Sequence, residues 1–441
     1  MRSFEALYLA GLVAALIFHA WDPRRQWFIP LLLGILLIAH LGLDGWRWQL
    51  APAYALGLLI FVGVPTVLAG PITRTVIAAL GCGLVAVSAA LCLIWPVFEL
   101  PAPTGTYPVG TATRNIDGFP VLFWYPAVPG SGGAPYLPPG WGMRSRTWHL
   151  VRTAATPDAA LAPAPHPFPL VVYAPWWGGT RRDGTITCID LASHGFIVAA
   201  IDDVFWDGKP SATANQGPLP PYDFSSDTAA ARTLALGGTR VGQEAHKMIR
   251  VIDGLAADHG PFPAAQIDLA HVGALGFSFG GASAAEASVL DPRIAAAVNM
   301  DGTLYGKVVT KGIDRPFLQV SSLYVPPNPA NLSSTSPELR YDTFYDLRDE
   351  RQQALQIAEK GAATLTIKGV EHVNFSDMAL ESPLRSLTQA GPIDPKRALA
   401  IVDAYVVDFF RLHLLGIPST LLHSGPSPYP EARLLIRGSA S

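Results

Sequence analysis

Charged side chains and cysteines are scarce in this chain of 441 residues. Asp, Glu, Lys and Arg make up 15% of it, hydrophobic residues make up 50%, and the formal net charge is −3. Without a basic excess the chain lacks the electrostatic signature of a nucleic-acid-binding protein. Cys82, Cys92 and Cys188 are too few and too scattered to indicate a disulfide framework or a thiolate metal site. The composition instead suggests that part of the chain lies in lipid.

The apolar excess is concentrated in residues 1–100. Four long apolar stretches there are separated by short polar breaks, and we take all four as uncharged. They are residues 4–20, 27–43, 48–69 and 76–97. They are apolar all round, whereas the helices of a soluble bundle, the alternative, show a polar stripe. The first two are near the lower length limit for crossing a hydrocarbon core roughly 30 Å thick, and the last two exceed it. We predict an all-α transmembrane region of about four helices over residues 1–100.

The arginines at the breaks predict an orientation. Four spans place the N-terminus and all residues after 100 on the same side of the membrane. Arg24, Arg25 and Arg74 fall on the opposite side from Arg2 and Arg47, and the side richer in arginine faces the cytoplasm. By a margin of one arginine, we predict a multi-pass cell-membrane protein whose C-terminal domain is extracytoplasmic.

Residues 101–441 have the pattern of an α/β domain. Short apolar runs alternate with helical stretches and Gly/Pro-rich turns, and several runs are continuously apolar, as in parallel strands buried on both faces. We predict helices over residues 242–257, 281–289 and 395–415, and loops over 130–164 and 208–227. The predicted strands are residues 121–125, 170–174, 196–201, 272–277, 294–299, 317–321 and 363–367.

A candidate nucleophile lies in the sequence GFSFGG at residues 276–281. It follows an apolar strand directly and precedes an Ala-rich helical stretch, which is the context of the strained nucleophile elbow in α/β-hydrolases. A solvent-facing serine in a Gly-rich turn is the alternative interpretation. We therefore predict an α/β-hydrolase domain with Ser278 as its nucleophile.

A serine hydroxyl needs a neighbouring base, and a third group must orient that base. Three histidines follow Ser278, and only His372 stands just after a predicted strand; His413 lies within the closing helix and His423 in a Pro/Ser-rich tail. We therefore predict His372 as the general base.

The third group must follow one of two strands. The loop after residues 317–321 contains no Asp or Glu up to residue 337, whereas Asp301 stands just beyond strand 294–299. We predict Asp301 as the acid, with a turn or helix-cap aspartate as the alternative.

An oxyanion hole requires two backbone N–H groups. By position, Phe279 supplies one, and the turn after strand 170–174 should supply the other. That turn reads PWWGG, and its glycines allow close approach to a substrate. Trp176 and Trp177 are either walls of an apolar acyl pocket or ordinary core aromatics.

Residues 101–416 resemble the platelet-activating factor acetylhydrolase family, the serine-dependent phospholipase A2 type. The segments that carry the resemblance are TGTYPVG at 104–110, FWYPA at 123–127, IDLASHGFIVAA at 189–200, GFSFGG at 276–281 and HVNFSD at 372–377. The resemblance implies Ser278, Asp301 and His372 as triad, the amides of Trp177 and Phe279 as oxyanion hole, and no calcium.

The sequence departs from that family in the turn after strand 170–174. The family usually has Ser-His-Gly there, whereas this chain has Ala174-Pro175-Trp176 followed by Trp177. The oxyanion donor is a backbone N–H, so it is still available in this sequence. The resemblance no longer predicts which acyl chains and head groups the enzyme prefers.

We expect hydrolysis of short or oxidised acyl esters, with phospholipid sn-2 esters as the lipid case, through an acyl-enzyme and without cofactor or metal. A carboxylesterase or polyesterase acting on non-lipid esters is the alternative enzyme, with Trp176 in the substrate pocket in either case. A catalytically silent membrane-bound binding or sensor domain is the alternative of another class.

Overall fold

A computed structural model describes most of the chain. The described residues are 2–21, 28–62, 70–138, 146–203, 223, 225–322, 328–341, 343, 344, 347, 362–423 and 425–436. They fall into two compact units. The helical unit comprises the described parts of Met1–Glu99, Leu137–Val151 and Glu381–Leu387. The other unit, which we call the catalytic unit because it contains the predicted triad, comprises those of Leu100–Tyr136, Arg152–Leu380 and Thr388–Ser441.

The helical unit includes two segments that the sequence pattern places in the α/β domain, residues 137–151 and 381–387. Polar contacts explain the first of these. The Oγ of Thr147 accepts bonds from the Trp48 indole N–H at 3.0 Å and from the Gln49 amide at 2.8 Å, and the Trp148 indole N–H donates to the Pro96 carbonyl. Sequence periodicity cannot reveal such long-range bonds, and a domain boundary at residue 100 stays a prediction.

Four helices form the body of the helical unit: α1 (Ser3–Trp21), α2 (Ile29–Ala39), α3 (Ala51–Phe61) and α4 (Pro71–Ile94). α2 continues into a π-helical turn, His40–Asp44, and a short 3₁₀ turn, Trp48–Leu50, precedes α3. Among the described helices, the segment Ile72–Ile94 alone is long and apolar enough to cross a membrane. The apolar helices Ser3–Phe18, Ile29–Asp44 and Trp48–Phe61 are shorter. The structure therefore does not support four spans, and parts of the second and third predicted spans lie outside the described residues.

The interior of the helical unit contains a charge that our span prediction overlooked. Glu5 lies within the first predicted span, is fully buried, and accepts a bond from the Arg47 guanidinium at 2.8 Å. Arg47 is 1% exposed and also donates to the Trp95 carbonyl at 2.7 Å. Arg47 lies between two helical segments, as predicted for a residue at the end of a span. Its charge, however, is buried in an ion pair with Glu5 and is not in contact with water.

A mixed sheet of ten strands runs through the catalytic unit, in the spatial order β10-β9-β8-β7-β6-β4-β5-β2-β1-β3. The strands from β4 to β9 pair in parallel, and β1, β2 and β10 join antiparallel neighbours. The strands are β1 (Val109–Ile116), β2 (Phe119–Pro126), β3 (Thr156–Pro157), β4 (Phe168–Ala174), β5 (Ile197–Ala200), β6 (Ile267–Phe277), β7 (Ile294–Met300), β8 (Phe317–Ser321), β9 (Ala363–Ile367) and β10 (Ala432–Ile436).

The seven predicted strands correspond to β2 and β4–β9, whereas β1, β3 and β10 were not predicted. β1 reads VGTATRNI and buries its first half while exposing three polar residues near its end, so it lacks a continuous apolar run. β10 lies at one edge of the sheet with only intermediate and exposed side chains. β3 and β10 are the edge strands and have no buried side chains, and β1 is buried over only part of its length, so none of the three has the apolar pattern by which we identified strands.

Helices cover both faces of the sheet. They are α5 (Thr185–Ser193), α6 (Asp227–Ala256), α7 (Phe279–Leu290), α8 (Val308–Lys311) and α10 (Pro395–Leu415), with α9 (Arg385–Thr388) in the helical unit. One buried apolar cluster joins the sheet to α6 and α7, and a second joins it to α5 and α10. α6 begins fifteen residues before the predicted start at 242, because Ser226 caps it by accepting a bond from the Ala229 N–H. Of the predicted loop 208–227, residues 208–222 and 224 lie outside the described residues, and its last residue, Asp227, already belongs to α6.

Candidate active site

The nucleophile elbow joins β6 to α7 within a single residue. Ser278 has φ 56° and ψ −120°, a conformation that L-residues seldom adopt. A Cβ on Gly276 would overlap the backbone of Gly280, and a Cβ on Gly280 would overlap the carbonyl oxygen of Ala174. The two glycines therefore permit the close packing that holds Ser278 in its strained position.

The structure brings Ser278, His372 and Asp301 into one chain of hydrogen bonds. The His372 Nε2 lies 2.9 Å from the Ser278 Oγ, and its Nδ1 lies 2.7 Å from the Asp301 Oδ2. Ser278 and Asp301 follow the adjacent strands β6 and β7, and His372 follows β9. Because the carboxyl ends of parallel strands meet at one edge of the sheet, residues separated by almost a hundred positions converge there.

Asp301 is held mainly through the carboxylate oxygen that does not face the histidine, and the oxygen that does, Oδ2, receives only a longer bond of 3.3 Å from the Ser322 hydroxyl. Its Oδ1 accepts a bond from the Ser322 N–H at 2.8 Å and from the Ser322 hydroxyl at 3.1 Å. Its own N–H donates to the Val320 carbonyl at 2.7 Å, and its backbone has φ 57°. The loop after β8 offers no acid, but its serine fixes the carboxylate of Asp301 toward the imidazole.

His372 starts a short 3₁₀ turn, His372–Phe375, that is anchored at both ends. The Asn374 Oδ1 accepts the Glu371 N–H at 3.0 Å and the Gly391 N–H at 2.7 Å. The His372 side chain is 52% exposed, and its ring lies 4.8 Å from that of Phe277. The imidazole is thus both accessible from solvent and fixed in direction.

Asp377 anchors the same loop from below. It is 1% exposed, and its Oδ1 accepts the N–H of Ile186 in α5 at 3.4 Å. Burial raises the pKa of Asp377 to about 7, while the bond from Ile186 opposes that rise. Among the described residues, Asp301 and not the nearby Asp377 or Glu371 is the carboxylate that bonds to His372.

The turn that follows β4, residues 175–179, lies against the elbow, and we call it the oxyanion turn. The Gly179 N–H donates to the Trp176 carbonyl at 2.7 Å, and Gly178 has φ 76°. An i to i+3 bond with a positive φ at the third residue is the pattern of a type II turn, which requires glycine there. A Cβ on Gly280 would also overlap the Pro175 carbonyl oxygen, so the turn abuts the start of α7 beside the predicted donor Phe279.

The two tryptophans of the oxyanion turn diverge. Trp177 packs edge-on against the Phe279 ring, 4.8 Å between centroids, and the Arg240 guanidinium lies 3.7 Å above its own ring. Trp176 is half-buried against the apolar cluster shared by the sheet, α5 and α10. Trp176 therefore contributes to the core as well as bordering the site, and its role in a substrate pocket stays a prediction.

Three residues that touch the site were not singled out from the sequence: Asp203, Ser322 and Asn299. Asp203 accepts the Gly178 N–H, and the Asn299 side chain bridges both the N–H and the carbonyl of Gly302. Asp203 stands three residues after β5, at the carboxyl edge of the sheet. That placement, an acid just beyond a buried strand, is the sequence signal that could have identified it.

The chain is similar to several known esterases and acetylhydrolases. Residues 263–416 match the family model described as platelet-activating factor acetylhydrolase, isoform II. The chain is 28% identical over 181 residues to a probable 1-alkyl-2-acetylglycerophosphocholine esterase of Arthroderma benhamiae, a match covering 38% of this chain and 43% of that protein. It is 23% identical to the platelet-activating factor acetylhydrolase of Cavia porcellus, covering 56% and 58%, and 24% identical to that of Canis lupus familiaris, covering 72% and 77%. The first two matches span about half the length of those relatives.

A solved structure shares the fold. The ferulic acid esterase from Streptomyces cinnamoneus superposes with a TM-score of 0.57 and 27% sequence identity, covering 77% of this chain and 100% of that one. The predicted α/β-hydrolase fold is thereby confirmed. The family model, the relatives and the solved structure together support a serine ester hydrolase that resembles the platelet-activating factor acetylhydrolases.

Proposed function

We propose that this chain hydrolyses carboxylic esters through an acyl-enzyme formed on Ser278. The observation that carries the proposal is the bonded series Ser278–His372–Asp301 at a strained elbow. This geometry places a base 2.9 Å from the hydroxyl and an acid on the far side of the base, the arrangement that activates a serine.

The three residues of the triad have different tasks in the reaction. The Ser278 Oγ attacks the ester carbonyl while the His372 Nε2 takes the hydroxyl proton, and Asp301 stabilises the imidazolium that results. The backbone N–H groups of Phe279 and Trp177 would hold the negative oxygen of the tetrahedral intermediate. His372 then gives the proton to the departing alcohol, and a water molecule activated by His372 releases the acid and restores Ser278.

For the substrate we propose short or oxidised acyl chains, with phospholipid sn-2 esters as the lipid case. The names of the relatives support an acetyl ester of a glycerophospholipid, since they include a probable 1-alkyl-2-acetylglycerophosphocholine esterase and platelet-activating factor acetylhydrolases. The half-exposed His372 suits a site open to a bulky head group.

The second candidate is a carboxylesterase or polyesterase acting on non-lipid esters. Its support is the fold shared with a ferulic acid esterase, together with the aromatic oxyanion turn at Trp176 and Trp177. An aromatic wall accepts an aryl acid as readily as an alkyl chain, because both bury apolar surface.

An ester panel distinguishes the candidates. Detergent-solubilised full-length protein is first labelled with a fluorophosphonate, which reacts with an activated serine and so separates an enzyme from a silent domain. Initial rates are then compared for p-nitrophenyl esters of two to twelve carbons, an sn-2 acetyl phosphatidylcholine and methyl ferulate. A higher kcat/KM on the phospholipid supports the lipid ester, and one on ferulate supports the alternative. Wild-type protein that resists labelling would refute both.

We also propose that the helical unit attaches the enzyme to the cell membrane by several passes, with the catalytic unit extracytoplasmic. Large apolar side chains are exposed along its helices, including Leu7, Ile17, Phe18, Leu31, Ile35, Ile38, Leu58, Phe61, Ile72, Leu80 and Leu93. Exposing so much apolar surface to water would be costly, and lipid removes that cost. The arginine asymmetry supports the orientation.

Two fractionation experiments test the attachment. Alkaline carbonate strips peripheral proteins, so an integral helical unit should stay in the pellet and enter solution only with detergent. Protease added to intact spheroplasts should degrade the catalytic unit if it is extracytoplasmic. Release by carbonate would contradict the integral attachment, and protection until lysis would reverse the orientation.

A further inference from the structure

One buried acid, Asp203, forms two hydrogen bonds with the oxyanion turn, and we call this pair of bonds the clasp. Asp203 is fully buried, and its carboxylate accepts the Gly178 N–H. In return, the Asp203 N–H donates to the Gly179 carbonyl at 3.1 Å. Asp203 thus bonds to two consecutive residues of the turn. It accepts a bond from the N–H of Gly178 and donates one to the carbonyl of Gly179.

The location of Asp203 follows from the sheet. β4 and β5 are parallel neighbours, and the Ile201 N–H still donates to the Tyr173 carbonyl, so the pairing continues past the end of β5. Asp203 therefore leaves the sheet beside the residues that form the oxyanion turn. The turn itself follows β4, next to β6 and the nucleophile elbow.

The bond to Asp203 fixes the peptide whose orientation decides the type of the turn. Type I and type II turns differ by a flip of their middle peptide, here the Trp177–Gly178 peptide, whose N–H is the group that Asp203 accepts. Fixing that N–H selects one of the two shapes. The predicted oxyanion donor, the Trp177 N–H, belongs to the peptide immediately before, and its direction depends on how firmly the turn is held.

The neighbouring acid has a different task. Asp202 is 1% exposed and pairs with the guanidinium of Arg181, and its Oδ1 accepts the Arg181 N–H at 2.7 Å. These bonds fix the chain two residues beyond the oxyanion turn. The Lys247 ammonium donates to the carbonyl of Asp202 at 2.6 Å, so this part of the backbone is anchored from α6 as well.

We propose that Asp203 is a positioning residue for ester hydrolysis, holding the Trp177 N–H in the direction that stabilises the oxyanion. This role rests on the proposed function. It differs from a structural role because it concerns the transition state: misplacement of a donor by about 1 Å costs up to roughly 100-fold in rate without a matching loss of substrate binding.

The test compares Asp203→Ala, Asp203→Asn and the matched control Asp202→Asn in the full-length protein. All rates are expressed per serine labelled to completion by a fluorophosphonate, so unfolded protein does not enter the result. Asp203→Ala should lower kcat on p-nitrophenyl acetate about 10- to 100-fold with little change in KM. Asp203→Asn offers an amide oxygen to the same N–H and should stay within about threefold of wild type, as should Asp202→Asn.

A boronic acid supplies the readout that a purely structural role would not move. It forms a tetrahedral anion on the serine, so its affinity reports the oxyanion donors directly. In Asp203→Ala the inhibition constant should weaken by the same factor as kcat, while in Asp203→Asn it should hardly change.

Three results would overturn the proposal in distinct ways. Wild-type kcat and boronate affinity in Asp203→Ala would remove the positioning role. Equal losses in the alanine and asparagine variants would assign the effect to charge rather than to the clasp. Wild-type protein that neither labels nor cleaves any ester would remove the proposed function, and the role of Asp203 with it, before any variant is compared.

Discussion

The two units place their polar and apolar residues in opposite ways. In the helical unit, large apolar side chains such as Leu31, Ile38 and Ile72 face outward, while the ion pair of Glu5 and Arg47 is buried. In the catalytic unit the apolar strands are buried on both faces of the sheet, and the chemistry-bearing side chains gather at one edge. This contrast is what we expect if the helical unit lies in lipid, as we propose, and the catalytic unit lies in water. A buried charge pair suits the interior of a unit in lipid, and an accessible histidine suits a unit in water.

The comparison predicts that all chemistry resides in the catalytic unit. Ser278→Ala and His372→Ala should each reduce kcat by on the order of 10⁶, and the double variant should lose little more, because the pair acts as a unit. Initial rates on p-nitrophenyl acetate measure this. His413→Ala, which changes a histidine in α10 that packs on Phe409, is the matched control and should retain wild-type activity.

The acid of the triad is tested with the same assay. Asp301→Asn should lower kcat about 10⁴-fold because the amide favours the wrong tautomer of His372. Additive losses in the Ser278/His372 double variant, or near-normal activity of Asp301→Asn, would mean that the bonds seen in the structure are not the working ones.

The next largest effect concerns the helical unit. Glu5→Gln leaves the Arg47 charge buried without its carboxylate, so we expect a loss of about 3–5 kcal/mol in the stability of that unit. Replacing both residues by Leu and Met should restore most of it. Thermal unfolding of the detergent-solubilised protein gives the stability, and the fluorophosphonate-labelled fraction should be unchanged at room temperature. A Glu5→Gln variant as stable as wild type would show that the pair is not buried as a charge pair.

The oxyanion turn allows a backbone role to be separated from a side-chain role. Trp177→Pro removes the N–H and should lower kcat about 10²- to 10³-fold on every ester. Trp177→Ala keeps the N–H and should retain much of the rate on acetyl esters. Trp176→Ala enlarges an apolar wall, and since each methylene contributes about 0.8 kcal/mol, the preference should move to longer acyl chains. Identical acyl-chain profiles for wild type and both alanine variants would place the rings in the core alone.

The last expected effect leaves the chemistry unchanged and concerns only the pH dependence of the catalytic unit's stability. Because burial raises the pKa of Asp377 to about 7 in the folded protein, folding takes up a proton between about pH 4 and pH 7. Its contribution is complete below the unfolded pKa and is lost as the pH rises through 7, by on the order of 4 kcal/mol, since each pKa unit corresponds to about 1.4 kcal/mol. Urea unfolding at pH 5 and pH 8 should show a smaller difference in Asp377→Asn than in wild type. Asp314→Asn, at an exposed position, should leave the difference unaltered; a reduction there too would assign the slope to general charge effects.

The sequence predicted the residues of the triad but not the residues that hold the site in place. The elbow and the positions after β7 and β9 are local signals, so Ser278, Asp301 and His372 could be chosen before any geometry was known. Ser322 carries no such signal, and Asp203 has only its place just beyond a buried strand. The importance of both lies in bonds across 21 and 25 residues, to Asp301 and to Gly178. The four-span prediction relied on apolar length alone and passed over Glu5, whose charge is acceptable only with its partner 42 residues away.

What the sequence alone determined is therefore the set of strongly patterned elements: the buried parallel strands, the Gly-lined elbow and the long amphipathic helix Pro395–Leu415. These depend on contacts between near neighbours in the chain, and near-neighbour patterns are visible as periodicity. The tertiary structure decided which carboxylate oxygen faces His372, which turn shape the oxyanion donors adopt, and which loop segments join the helical unit. Those outcomes depend on hydrogen bonds between distant segments, whose geometry exists only once the sheet has assembled.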